Sequence, residues 1–193
     1  MTEHAEHEAT ALLMRVVEGD EQAAHDLLPL VYADLRARAG AYFRGQPANH
    51  TLQPTALVHE AYLKLIKASG EGWKNRGHFC AVATTAMRQI LVNHAKRRGV
   101  AARAQEKHRE NETLIEDPTQ NTALDLLTLD EALTQLAELD PRQAQLVEFR
   151  FFGGMTIEEV AEVLGVSKST IDKEWRRVRA WLQAELKGKQ GGA

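Results

Sequence analysis

Only one cysteine, Cys80, occurs among the 193 residues. No internal disulfide can form, and a lone thiol fits a reducing cytosol. No apolar run approaches the roughly 20 residues of a membrane-spanning helix. The N-terminus, MTEHAEHEAT, is acidic and lacks the apolar segment of a signal peptide. No segment alternates apolar and polar residues with the period of a strand. Glycine loops that cradle phosphate, HExxH helices and nucleophile elbows are all missing. His4 and His7 stand in the acidic N-terminal tail, and His59, His78 and His94 have no Cys or His at ligand spacing. Cys80 sits near a helix start among apolar residues, the setting of a buried structural thiol. These absences exclude a disulfide-stapled secreted domain and leave no catalytic constellation. The expectation is a cytoplasmic all-α protein with no cofactor, no metal and no membrane partner.

What is present is charge in blocks. Net charge is only -3, yet residues 1–34 carry eight acids against one base, Arg15. Residues 88–109 carry seven bases against one acid, and residues 110–140 carry nine acids and no base. The segment from Lys168 to Arg179 is basic again. Two basic patches divided by acidic stretches suggest two separate contacts with polyanions. Solvated helix faces are the plainer alternative for either patch taken alone.

Every periodic segment has the helical period. Leu12, Leu13, Val16 and Val17 mark a first helix closed by Gly19, and Asp20 can cap a second with Leu27, Leu28, Val31, Leu35 and Tyr42. GQPANHTLQP, 45–54, predicts a loop, and Pro54 suits the first turn of a helix bearing Leu57, Val58, Ala61, Tyr62, Leu65 and Ile66. After a second loop at 68–77, a long helix runs from about His78 past Arg98. Residues 110–123, polar and proline-containing, predict a flexible linker. They divide the chain into domains at 8–109 and 124–187, two small helical modules. In the second, Asp140-Pro141-Arg142-Gln143 reads as a helix start.

The stretch MTIEEVAEVLGVSKSTIDKEWRRVRAWL, 155–182, has the layout of a helix-turn-helix. Thr156 and Glu159 predict a capping box. Gly165 stands where a left-handed turn is needed, and Ser167 can cap the next helix. Ile171, Trp175, Val178 and Leu182 recur at spacing four, three and four, so they face inward. Such a helix enters a major groove with its N-terminal side chains at base edges. Lys168, Ser169, Thr170 and Lys173 are the base-reading candidates beside Ser167. Arg176, Arg177 and Arg179 suit phosphates.

The segment LDEALTQLAELDPRQAQLVEFRFFGGMTIEEVAEVLGVSKSTIDKEWRRVRAWLQAEL, 129–186, resembles region 4 of the sigma-70 family of bacterial RNA polymerase initiation factors. TALVHEAYLKLIK, 55–67, is similar to the region 2 helix that docks on the polymerase clamp, and HFCAVATTAMRQILVNHAKRRG, 78–99, to the helix that takes the minus-ten element. With only these two modules, the chain looks like the extracytoplasmic-function (ECF) type, over about residues 10 to 187.

The resemblance implies two partners, core RNA polymerase (clamp of the largest subunit, flap of the second-largest) and promoter DNA, and leaves room for an anti-sigma factor. It implies a polymerase contact through His59, Glu60, Leu63, Lys64 and Lys67. It implies minus-ten contacts through Trp73, Lys74, Asn75, Arg76, Arg88, Asn93, Lys96, Arg97 and Arg98, and places the upstream, minus-35 element on the second module. Trp73 could equally be a hydrophobic anchor for its loop. The alternative function is a stand-alone helix-turn-helix regulator whose N-terminal half dimerises or binds a ligand.

Overall fold

Helix boundaries fall where the capping residues stand. In the computed structural model, residues 3–44, 52–68, 72–106 and 118–190 are described, with side chains for 7–44, 52–68, 72–99 and 125–187. Residues 45–51 of the first predicted loop, 69–71 of the second and 110–117 of the predicted linker lie outside the described residues.

Eight helices and no strand occur among the described residues: α1 (Glu3–Val17), α2 (Glu21–Phe43), α3 (Pro54–Lys67), α4 (Arg76–Glu106), α5 (Pro118–Leu139), α6 (Pro141–Phe151), α7 (Ile157–Leu164) and α8 (Lys168–Gln190). The all-α expectation holds. Asp20 caps α2 by accepting from the Ala23 N–H at 3.0 Å. Asp140 accepts from the N–H groups of Arg142 and Gln143, both at 3.1 Å, so two of the donors a helix start leaves orphaned are satisfied. α5 starts at Pro118, inside the range predicted as linker.

α1 to α4 pack around Leu13, Leu27, Val31, Leu35, Leu57 and Phe79, all fully buried. The second module closes around Leu133, Leu146, Met155 and Ile171. Cys80 is buried, as its apolar neighbours predict, and burial pushes its thiol pKa up. α2 runs through Pro29, an interior position where proline removes one backbone hydrogen bond. Near that turn the Tyr62 hydroxyl donates to the Ala24 carbonyl, tying α3 to α2.

Charge blocks and a polar linker lead one to expect two modules held at a distance. The structure instead packs them together, with α4 lying against α5, α6 and α7. Phe152, just past α6, is 1% exposed and stacks on Tyr42 of α2, with ring centroids 5.8 Å apart. The following Gly153-Gly154 turn admits no side chain. A Cβ on Gly153 would lie 2.7 Å from Thr84 of α4, and one on Gly154 would lie 2.5 Å from Ala41 of α2.

The helix-turn-helix is built as its sequence predicts. Thr156 accepts from the Glu159 N–H at 3.2 Å, while Glu159 accepts from the Thr156 N–H at 2.7 Å, a complete capping box. Gly165 ends α7 at φ +67°, the left-handed conformation that glycine adopts at least cost. Thr156→Ala is expected to destabilise the chain by about 1 kcal/mol and lower Tm by roughly 2–4 °C. A thermal melt followed by circular dichroism checks this, and an unchanged Tm would show that the cap contributes nothing.

Candidate nucleic-acid interface

The outer face of α8 is the more sharply defined of the two predicted DNA surfaces. Ile171, Val178 and Leu182 are buried and fix the helix by its inner face. Trp175 is half-buried beneath the Arg150 guanidinium, 5.2 Å from the ring centroid, a cation–π contact. Glu174 is buried and paired with Arg142 of α6. These contacts set the rotation of the helix, and Lys168, Ser169, Lys173, Arg176, Arg177 and Arg179 all emerge on exposed positions.

At the helix start the hydroxyls form a small cluster. Ser167 accepts from the Thr170 N–H at 3.2 Å, and its hydroxyl lies 2.9 Å from that of Ser169 and 2.8 Å from that of Thr170. Lys168 pairs with Glu158 of α7 at 2.5 Å. That hydrogen bond, with the neighbouring negative charge, holds the lysine ammonium more firmly protonated than usual. A base edge or phosphate must therefore compete with Glu158 for Lys168. The Arg176 Nε–H donates to the Asp172 carbonyl at 3.2 Å, which leans that guanidinium back along the helix.

The predicted minus-ten residues are less uniformly presented. Lys74, Asn75, Asn93, Lys96 and Arg97 are exposed, and Arg98 is half-buried. Asn75 also has local work, since its Oδ1 accepts from the His78 N–H at 2.8 Å where α4 begins. Burial, with Lys74 adding to it, pushes the pKa of His78 down. Trp73 is 7% exposed and meets Phe79 edge-on, with centroids 5.3 Å apart, the anchoring arrangement. Arg76 is buried in an ion pair with Asp34 of α2.

Arg88 has partners that no local pattern announces. Its guanidinium donates to Asp130 Oδ1 of α5 from Nη2 at 2.7 Å and from Nε at 3.1 Å. It also pairs with Glu148 of α6 at 3.3 Å. Lys96 reaches the other oxygen of Asp130 at 4.0 Å. Burial pushes the Glu148 carboxyl above its ordinary value, against the pull of Arg88 and of a hydrogen bond from Thr85. Between α4 and these acids lies a cleft of about 400 Å³ lined by Gln89, Val92 and Asn93 as well.

A second cross-module pair joins Arg38 of α2 to Glu159 of α7 at 3.4 Å. Burial alone would raise the Glu159 carboxyl, but the Thr156 backbone N–H and Arg38 outweigh it and hold it below the usual range. Asp130, Glu148 and Arg38 form the part of the surface that sequence inspection misses. Only Asp130 has a prior signal, the acidic block at 110–140 opposite the basic one at 88–109; Glu148 and Arg38 lie outside both blocks.

The predicted polymerase-facing residues of α3 share one outer face. His59, Glu60, Leu63, Lys64 and Lys67 are all exposed, and Leu63 retains 57% of its surface, a large apolar side chain in water. Lys64 donates to the Gln89 side chain of α4, and His59 lies with its ring centroid 6.0 Å from that of Tyr32.

No group of three or more His, Cys, Asp or Glu among the described residues is placed to hold a metal ion. No helix among the described residues is long and apolar enough to cross a membrane. No curated protein and no solved structure matches the chain. The family model described as ECF sigma factor matches residues 6–188, which spans both helical modules. ECF sigma factors are not catalytic and, as a family, direct RNA polymerase to promoters. An exposed basic face on a capped helix-turn-helix, within an all-α chain matched almost end to end, therefore places this protein in the ECF sigma factor family.

Proposed function

We propose that the chain brings core RNA polymerase to promoters through three surfaces. The α8 face reads the upstream, minus-35 element in duplex DNA. The α4 edge with the loop at 72–75 takes the minus-ten region as it opens. The outer face of α3 docks on the clamp of the largest subunit, and the second module meets the flap of the second-largest. The resemblance also leaves room for an anti-sigma factor.

The observation that carries this reading is the α8 face. Six side chains that suit base edges and phosphates are exposed on a helix whose rotation is fixed by buried residues. Each phosphate contact releases counterions, so binding through this face weakens steeply with salt. The family match over residues 6–188 includes the N-terminal half, which supports the sigma reading of that half over a stand-alone regulator's dimerisation or ligand domain.

Leu63 supplies the test, because it is apolar, exposed and outside the core. Leu63→Glu is expected to leave the fold intact and to weaken the complex with core polymerase by roughly tenfold or more, the scale of an interface hot spot. Co-elution of the purified protein with core polymerase on size exclusion reads this out. Failure of the unaltered protein to co-elute, with tight salt-sensitive binding to duplex DNA alone, would overturn the proposal in favour of a stand-alone regulator.

A further inference from the structure

The two DNA surfaces are not equally available in this structure. The α8 face is open, whereas Arg88, central on the α4 edge, is held by two carboxylates of the other module. Three contacts lock the modules together. The first is the Arg88 guanidinium with Asp130 and Glu148. The second is the Arg38 guanidinium, which reaches Glu159 at 3.4 Å and the Gly153 carbonyl at 3.5 Å. The third is the Phe152 ring stacked on Tyr42, with the side-chain-free Gly153-Gly154 turn seated against Thr84 and Ala41.

The Arg88 contact has the chemistry of a phosphate contact. Asp130 Oδ1 accepts from two guanidinium nitrogens, and the other Asp130 oxygen faces the Lys96 ammonium. Guanidinium groups bind carboxylate and phosphate oxygens through the same donors. A DNA backbone and the α5–α6 acids therefore compete for one Arg88.

Reach makes the same point independently. Elements named minus-ten and minus-35 are about 25 base pairs apart, which at 3.4 Å each is about 85 Å. A compact chain of this length has a radius of gyration of about 16 Å and is about 40 Å across. The packed form cannot touch both elements at once, so it differs from the form that works on a promoter.

We propose that the second module inhibits the first in cis: Asp130 and Glu148 occupy Arg88 in place of DNA, and the packed chain is a closed, promoter-incompetent state. The inference rests on the minus-ten assignment of the α4 edge. It adds a function for Asp130 and Glu148, which meet the α4 edge and belong to no proposed DNA contact of their own module. Opening frees Arg88 and Lys96 and separates the two modules in one event.

Asp130→Lys tests it, because Asp130 belongs to no proposed DNA or polymerase contact. Small-angle scattering should give about 16 Å for the unaltered protein and a clearly larger radius for the variant. Affinity for a fluorescent single-stranded oligonucleotide, read by anisotropy, should rise about tenfold once a charge-assisted competitor is removed. Adding Arg88→Asp and Glu148→Gln to Asp130→Lys should restore the compact radius without the gain in binding, since the Arg88–Asp130 pair is re-formed with its charges exchanged and no second carboxylate faces it. Gly154→Ala, which sets a Cβ against Ala41, should also open the chain and raise affinity without altering charge.

An extended radius for the unaltered protein would overturn the closed state. Opening by Asp130→Lys without a gain in oligonucleotide affinity would overturn the inhibition. Failure of the sigma reading itself would look different: neither the unaltered protein nor Asp130→Lys would co-elute with core polymerase.

Discussion

Phe152→Ala is expected to cost about 3–5 kcal/mol, while alanine at its neighbour Phe151 should change stability by no more than about 0.5 kcal/mol. The two rings are adjacent in sequence and lie 5.0 Å apart, yet Phe152 is 1% exposed and Phe151 is 47% exposed. Truncating Phe152 removes the buried ring and leaves a cavity beside Tyr42 that the surrounding packing fills only in part. Stacking with Tyr42 adds a pairwise component of about 0.5–1.5 kcal/mol beyond burial. A double-mutant cycle with Tyr42→Ala isolates that component. Urea denaturation followed by circular dichroism gives the energies, and equal midpoints for the two phenylalanine variants would refute the assignment of Phe152 to the contact between modules.

Phe152 also marks where sequence stops being informative. Local chemistry is legible: Asp20, Asp140, Thr156 with Glu159, and Gly165 all act as their types and spacings predict. The inner face of α8 is legible for the same reason, since a helical period needs only neighbours within one chain segment. Contacts between modules are not. Arg88 finds Asp130 and Glu148 across 42 and 60 residues of chain, and nothing in the sequence around any of them encodes the pairing. A basic helix edge has the same composition whether it faces DNA or an acidic helix. Nor does composition tell that Trp73 turns inward onto Phe79, because a loop tryptophan beside basic residues fits both base stacking and anchoring. α2 continues through Pro29 because Leu27, Val31 and Leu35 bury their side chains on both sides of it, and packing outweighs a weak local signal.

Arg88→Ala is expected to open the chain at neutral pH, and acidification should partly close it again. Removing one member of a buried ion pair costs about 3–5 kcal/mol when the partner charge stays buried. Here the modules can separate and return the acids to water, so the cost appears as opening and is capped by the free energy of docking. The pH dependence follows from Glu148. It faces Arg88 and Thr85 of α4 and the neighbouring charge of Asp130, with Lys96 beyond. Burial already holds its carboxyl above the ordinary 4.5 despite Arg88. A raised carboxyl means that the closed form binds more protons than the open form at pH values above 4.5, so closure strengthens as pH falls. Without Arg88 the main pull lowering that pKa is gone and the carboxyl rises further, which extends the window toward neutrality. Below about pH 5 the loss of Glu159, whose carboxyl is held low, works in the opposite direction and confines the test to about pH 5 to 7. Glu148→Gln provides the contrast. It removes a charge that burial disfavours and leaves Arg88 its two bonds to Asp130, so that variant should stay compact across the same range. Scattering radii of both variants between those limits decide the matter. A compact, pH-independent Arg88→Ala would show that the guanidinium does not hold the modules together.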